Sequence, residues 1–172
     1  VSGNHDSAQR VGFGAQLLAN SRIYLSPVFS GPLTPITLAD AYGPVEVYLL
    51  PFLKPATVRH VWPEDEITSY TDALASVLRR IPAGDGCRRV LVAHQFVTGA
   101  VQGGSEEIIV GGLDNVDASA LAGFDYVALG HIHSAQDIRG GTGPIRYAGA
   151  PLKYALSEIA GEKSVTLVEL GP

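Results

Sequence analysis

Apolar residues recur along this chain in two rhythms, and each change of rhythm marks a change of element. Between 7 and 20, Val11, Gly14, Ala15, Leu18 and Ala19 share one face at helical spacing, which predicts a helix with Asp6 or Ser7 placed to cap it. Residues 22–25 read as a short strand. Residues 35–40 and 45–51 read as two more, parted by the turn signal Tyr42-Gly43-Pro44, so a hairpin with one buried face is expected. A polar stretch over 54–66 leads into a helix predicted over 64–80, where Ile67, Tyr70, Ala73, Leu74, Val77 and Leu78 repeat at helical intervals. Residues 82–86 end it.

The second half carries shorter, more apolar runs. Residues 89–97 are nearly all apolar between polar flanks, as expected of a strand buried on both faces, with His94 near its C-terminal end. The glycine-rich stretch 99–112 reads as a long loop holding a short extended piece at 107–110. A short helix capped by Asp117 is expected over 117–121, and a second buried strand over 126–129. Late strands follow at 145–148 and 164–170, after a turn at Gly140-Gly141. Strands alternating with helices early, then mostly strands, predict an α/β sandwich of mixed sheets. There are no repeats or low-complexity tracts, so residues 1–172 read as one domain.

Composition narrows this only a little. With 172 residues, 46% of them hydrophobic, the chain can bury a sizeable core. A net charge of -5 excludes broad coating of nucleic acid but leaves room for a local basic groove, so charge neither requires nor excludes a DNA substrate. The single cysteine, Cys87, excludes an internal disulfide and is read as a turn residue, which fits a reducing cytoplasm. No apolar run reaches membrane-spanning length and no signal peptide is visible, so no membrane partner is expected.

The chemistry lies in the histidines. Four of the five fall in three short motifs: Gly3-Asn4-His5-Asp6, Val92-Ala93-His94-Gln95 and Gly130-His131-Ile132-His133. Each follows a stretch able to end a strand, where ligands are commonly presented. Asn4 offers an amide oxygen, and His94, His131 and His133 offer ring nitrogens. Such a mixed set suits manganese or a similar ion. If residues 131–133 are extended, His131 and His133 point to the same side and reach neighbouring positions on two adjacent ions. His5, at a strand-to-helix turn, is placed to face a phosphate, where it would stabilise negative charge or protonate a leaving oxygen. Asp6 is either an orienter of that ring or a helix cap, and the two roles are compatible. His60 has no partner motif and reads as a surface residue, and Trp62 as an anchor for its loop.

These three blocks resemble the calcineurin-like metallophosphoesterases. Longer stretches resemble, within them, the SbcD-type nuclease subunits: 2–7, Leu49-Leu50-Pro51-Phe52-Leu53-Lys54-Pro55, 124–133, and Tyr147-Ala148-Gly149-Ala150-Pro151-Leu152-Lys153-Tyr154-Ala155-Leu156-Ser157-Glu158. The resemblance covers nearly the whole chain. It implies a sandwich of two mixed β-sheets flanked by helices, with Asn4, His94 and His131 binding one manganese ion, His133 the other, and His5 acting on the phosphodiester. It also implies exonuclease action on duplex DNA ends, endonuclease action on single strands or hairpins, a role in repair and recombination, an SbcC-type ATPase partner, and a homodimer of the intact subunit as one possible assembly. The family's early Asp-x-His and Gly-Asp motifs, which supply the aspartate bridging both ions, do not occur here, and the chain has no methionine. It therefore reads as the later portion of such a domain, lacking its first strands and inactive alone.

Two other classes compete. Another calcineurin-like phosphodiesterase or phosphatase would carry the same ligand motifs, but the Pro-Phe-Leu-Lys-Pro and Gly-Ala-Pro-Leu-Lys-Tyr stretches would then be coincidental. A metal-poor binding module would carry them without use, and metal analysis separates that reading from both enzymes.

Overall fold

The computed structural model describes residues 1–82, 84, 86–100 and 114–172. The extended piece expected at 107–110 lies outside the described residues. Strands β1 (Ile36–Asp40), β2 (Gly43–Leu50), β3 (Arg88–His94), β4 (Phe96–Val97), β5 (Asn115–Val116), β6 (Tyr126–Gly130), β7 (Gln136–Ile138) and β8 (Ile145–Tyr147) combine with helices α1 (Ala8–Gly12), α2 (Ala15–Ala19), α3 (Pro55–Val61) and α4 (Tyr70–Leu78). The result is an α/β fold on a mostly parallel mixed sheet. Its six strands run in the order β1-β2-β3-β6-β8-β7, parallel from β2 to β8 and antiparallel at both edges.

One face of that sheet is the core. Register places Tyr48, Leu91, Val127 and Ile145 in one row and Leu50, Ala93, Leu129 and Tyr147 in the next, all at most 3% exposed. Val58 of α3, Ala73, Leu74 and Val77 of α4, and Leu121 of the 3-10 turn Ala118–Leu121 complete the same cluster. Parallel strands register their C-terminal ends together, so His94 at the end of β3 pairs with Gly130 at the end of β6. This is what brings the second and third motifs side by side.

The opposite face departs from the sandwich. Among the described residues the second sheet is only the two-residue pair β4-β5, so two large sheets packed face to face are not formed. Residues 164–170, expected as a strand, lie across the open face without joining it. Arg146 Nε donates to Thr166 Oγ1 at 3.2 Å and Arg88 Nη1 to the Leu170 carbonyl at 3.1 Å, while Val168 and Leu170 border a groove with Val45, Val47, Val90 and Tyr126. Both edges of the six-stranded sheet are already the antiparallel strands β1 and β7.

Other elements also differ. The helix expected over 7–20 is two short helices, because Gly14 adopts φ 80° between them, and neither buries a residue. Ser7 is the N-cap of α1 but makes no side-chain capping bond. Residues 22–25 form no strand, and Arg22 has φ 59°. Gln95 divides the run 89–97 into β3 and β4, and β7 arises where no strand was expected. Residues 55–61, read as polar loop, form α3 with Pro55 at its first turn. No helix among the described residues is long and apolar enough to cross a membrane.

The second helix begins at Tyr70 rather than 64 because Ser69 and Asp72 close a capping box. Asp72 Oδ2 accepts from Thr68 Oγ1 at 2.7 Å and from the Thr68 and Ser69 N–H groups at 3.0 and 2.9 Å. These bonds, the Thr68 hydroxyl first, hold its carboxyl down at about 2. A depressed carboxyl stabilises the fold above its unfolded value near about 4 and loses that contribution as pH falls toward about 2. Asp72→Ala is therefore expected to lose about 0.5–2 kcal/mol at neutral pH, the range for a lost cap. Urea unfolding of both proteins should show this difference shrinking through that acid window.

Candidate metal centre

The opening segment is stitched to the end of β2. Phe52 N–H donates to the Ser2 carbonyl at 3.0 Å, and Ser2, itself buried, donates from Oγ to the Pro27 carbonyl at 2.5 Å. Asp6 then closes a tight turn, its Oδ2 accepting from Gly3 N–H at 2.6 Å. Of the roles open to Asp6, helix capping is thus not the one made: its carboxylate holds the turn that presents Asn4 and His5. His5 is exposed at the turn's outer side.

Asn4 points inward, and its Oδ1 lies 3.1 Å from His94 Nε2 and 3.2 Å from His131 Nδ1. The two rings meet edge to face with centroids 5.3 Å apart. Phe52 stacks on His131 at 6.4 Å and meets His94 edge-on at 6.3 Å, and Phe96 leans on His131 at 6.0 Å. A Cβ on Gly3 would stand 2.7 Å from His94 Cε1, and one on Gly130 2.9 Å from His94 Nδ1, so the ring fits only because both neighbours are glycine. Burial, and then the neighbouring His131, push His94 down to about 4, while Asp6 opposes the shift. The ring is therefore neutral near pH 7, the form in which imidazole binds metals.

His131 follows the end of β6 with φ 109°, a conformation that L side chains rarely adopt. Such strain costs about 1–3 kcal/mol and gathers at functional sites. It also overturns one expectation. The same-side placement of His131 and His133 required extended backbone, and the twist at His131 removes it. His133 instead sets Nδ1 3.2 Å from Glu158 Oε1, with the Tyr154 ring 5.6 Å away. The structure thus brings together Asn4, His94 and His131, and gives His133 a separate set of neighbours.

Three donors suit one ion. Ligand atoms sharing a first-row ion at about 2.0–2.2 Å lie roughly 3.0–3.4 Å apart in octahedral or tetrahedral arrangement, which the two Asn4 separations match. Among the described residues no group of three or more His, Cys, Asp or Glu side chains is gathered for a metal, so the third donor has to be the amide of Asn4. The residues fit a single ion, and a second lacks a carboxylate bridge from the expected motifs. A cleft beside Asn4 is bordered by Asp6, Gln9, Phe52, Lys54 and Thr57.

Sequence reasoning did not single out Phe52, Phe96, Gly3, Gly130 or Glu158 for the site. Each sits inside or beside a motif already marked, so adjacency was the available signal. His60 lies exposed on α3, away from these residues, and Trp62 packs edge-on against Phe29 at 5.5 Å with Arg80 3.9 Å above its ring, the anchor expected of it.

A strand-end cluster of an amide and two neutral imidazoles on a parallel sheet defines a candidate metal-dependent hydrolase centre. No family profile matches the chain. Two curated proteins do: the SbcD component of the SbcCD nuclease of Staphylococcus epidermidis, 28% identical over 99% of this chain and 45% of that protein, and its counterpart from Staphylococcus saprophyticus, 28% identical over 99% and 44%. The chain is of the SbcD type, and it spans a little under half the length of these relatives.

Proposed function

We propose that this chain forms part of the active site of a metal-dependent DNA nuclease subunit. The observation that carries the reading is the Asn4 amide oxygen set between the His94 and His131 rings at 3.1 and 3.2 Å. The names of the relatives supply the substrate class and the partner, an SbcC-type ATPase.

On this reading Asn4, His94 and His131 hold one manganese ion, and His133 serves a second once a bridging carboxylate is present. Bound manganese would polarise the phosphodiester and lower the pKa of water. The chain's own residues do the rest. The Asp6-closed turn holds His5 outward, where the ring meets the phosphate and hands a proton to the departing oxygen. Phe52 and Phe96 wall the ring nitrogens away from water. In the intact subunit a second sheet covers the open face carrying Val47, Val90 and Val92, completing the sandwich. The activities proposed for that subunit are exonuclease on duplex ends and endonuclease on single strands and hairpins, in repair and recombination. Its assembly is with the ATPase, with a homodimer as a further possibility. The 172 residues alone are expected not to cut DNA, since the sequence holds no Asp-x-His or Gly-Asp-x-x-Asp motif.

The test compares substrates. With manganese and ATPase partner, the intact subunit should degrade duplex DNA ends and leave cyclic nucleotides and phosphoproteins intact. Cleavage of a cyclic nucleotide in preference to DNA would replace this reading with the small-molecule phosphodiesterase.

A further inference from the structure

The geometry points to Glu158 as a positioning residue for His133. Its carboxylate takes the ring's Nδ1–H and so fixes the tautomer whose lone pair is on Nε2. The assignment rests on the reading of His133 as a metal ligand for its purpose, but not for its geometry.

Glu158 closes the 3-10 turn Leu156–Glu158, and its side chain is only 9% exposed. Oε1 lies 3.2 Å from His133 Nδ1, and Oε2 accepts from Lys163 Nζ at 2.7 Å and from Tyr154 N–H at 3.3 Å. A carboxylate is costly to bury, and Lys163 offsets that cost while aiming the second oxygen away from the ring. The remaining oxygen is thereby left turned toward His133.

A purely structural role would be to fasten residues 156–163 to the histidine loop. That fastening already exists without the ring. The His133 carbonyl accepts from Ala150 N–H at 2.9 Å and from Lys163 Nζ at 3.0 Å. Gly149, at φ 78°, lets the backbone come so close that a Cβ there would stand 3.0 Å from the His133 carbonyl oxygen and 2.8 Å from Ala135 N. With the main chain pinned, the contact between Glu158 and Nδ1 adds control of ring rotation and tautomer. A carboxylate on the far nitrogen is how ligating imidazoles are oriented and made more basic.

The experiment is long-range proton–nitrogen NMR of the 172-residue chain labelled in its histidines, at about pH 8, above the ordinary imidazole range. His133 should show the Nδ1–H pattern. Glu158→Gln, whose amide oxygen still accepts, should keep it, and Glu158→Ala should lose it while the backbone spectrum elsewhere is unchanged. An Nε2–H pattern in the unsubstituted chain overturns the assignment even if the alanine variant fails to fold. So does a pattern indifferent to both substitutions, which would leave a staple only. In a second arm, manganese affinity of the intact subunit should fall about 10–100-fold in Glu158→Ala, with Glu158→Gln between. If the tautomer behaves as stated and no manganese binds, the positioning assignment stands and the metal reading fails.

Discussion

Replacing His94 by alanine in the intact subunit is expected to lower manganese affinity more than about 100-fold, beyond what outer-shell changes achieve, and to bring nuclease activity below detection. The ring is the hinge of the site: it joins Asn4, faces His131 at 5.3 Å, and is held between Gly3 and Gly130. Its removal leaves Asn4 and His131, two donors where catalytic sites commonly use three. His131→Ala should behave alike. His5→Ala should differ, keeping its metal while losing most activity, because His5 stands on the exposed side of the turn. Metal content by mass spectrometry alongside cleavage rates checks this, and equal metal loss in all three variants would end the division of roles.

Leu91→Ala is expected to lose about 2–5 kcal/mol of stability, the range for a large-to-small change in a packed core. Leu91 is 0% exposed in the middle strand of the core row, between Tyr48 and Val127. Neighbours on both sides are fixed by the sheet's hydrogen bonds, so the cavity has little freedom to collapse. In a domain of this size the melting temperature should drop by roughly 4–20 °C. Leu91 touches no ligand, so stability should change with metal stoichiometry unaltered. A loss below about 1 kcal/mol would show that this face is not the core.

The parallel strands were the readable part of this fold. Val90 to Ala93 and Val127 to Leu129 are apolar runs without breaks, and both deliver a histidine motif from their C-terminal ends. Helix α4 was readable in its apolar repeat, and its start was written in Ser69 and Asp72. The helix over 7–20 failed because counting Gly14 toward an apolar face ignores its left-handed conformation. Residues 164–170 alternate as a strand should, yet a strand needs a free edge, and alternation carries no information about edges. In the site, the pairing of Asn4 with His94 and His131 followed from motif order. The turn of His133 toward Glu158 did not, because it depends on one backbone angle at His131 and on a partner 25 residues away.

The shared site of Asn4, His94 and His131 is tested most directly by pulsed electron paramagnetic resonance. The 172-residue chain is measured with millimolar manganese, reading nitrogen couplings to the ion. Coupling to two imidazole nitrogens is expected, falling to one in either His94→Ala or His131→Ala. Absence of nitrogen coupling, or coupling that both substitutions leave unchanged, would contradict a site built on these three residues.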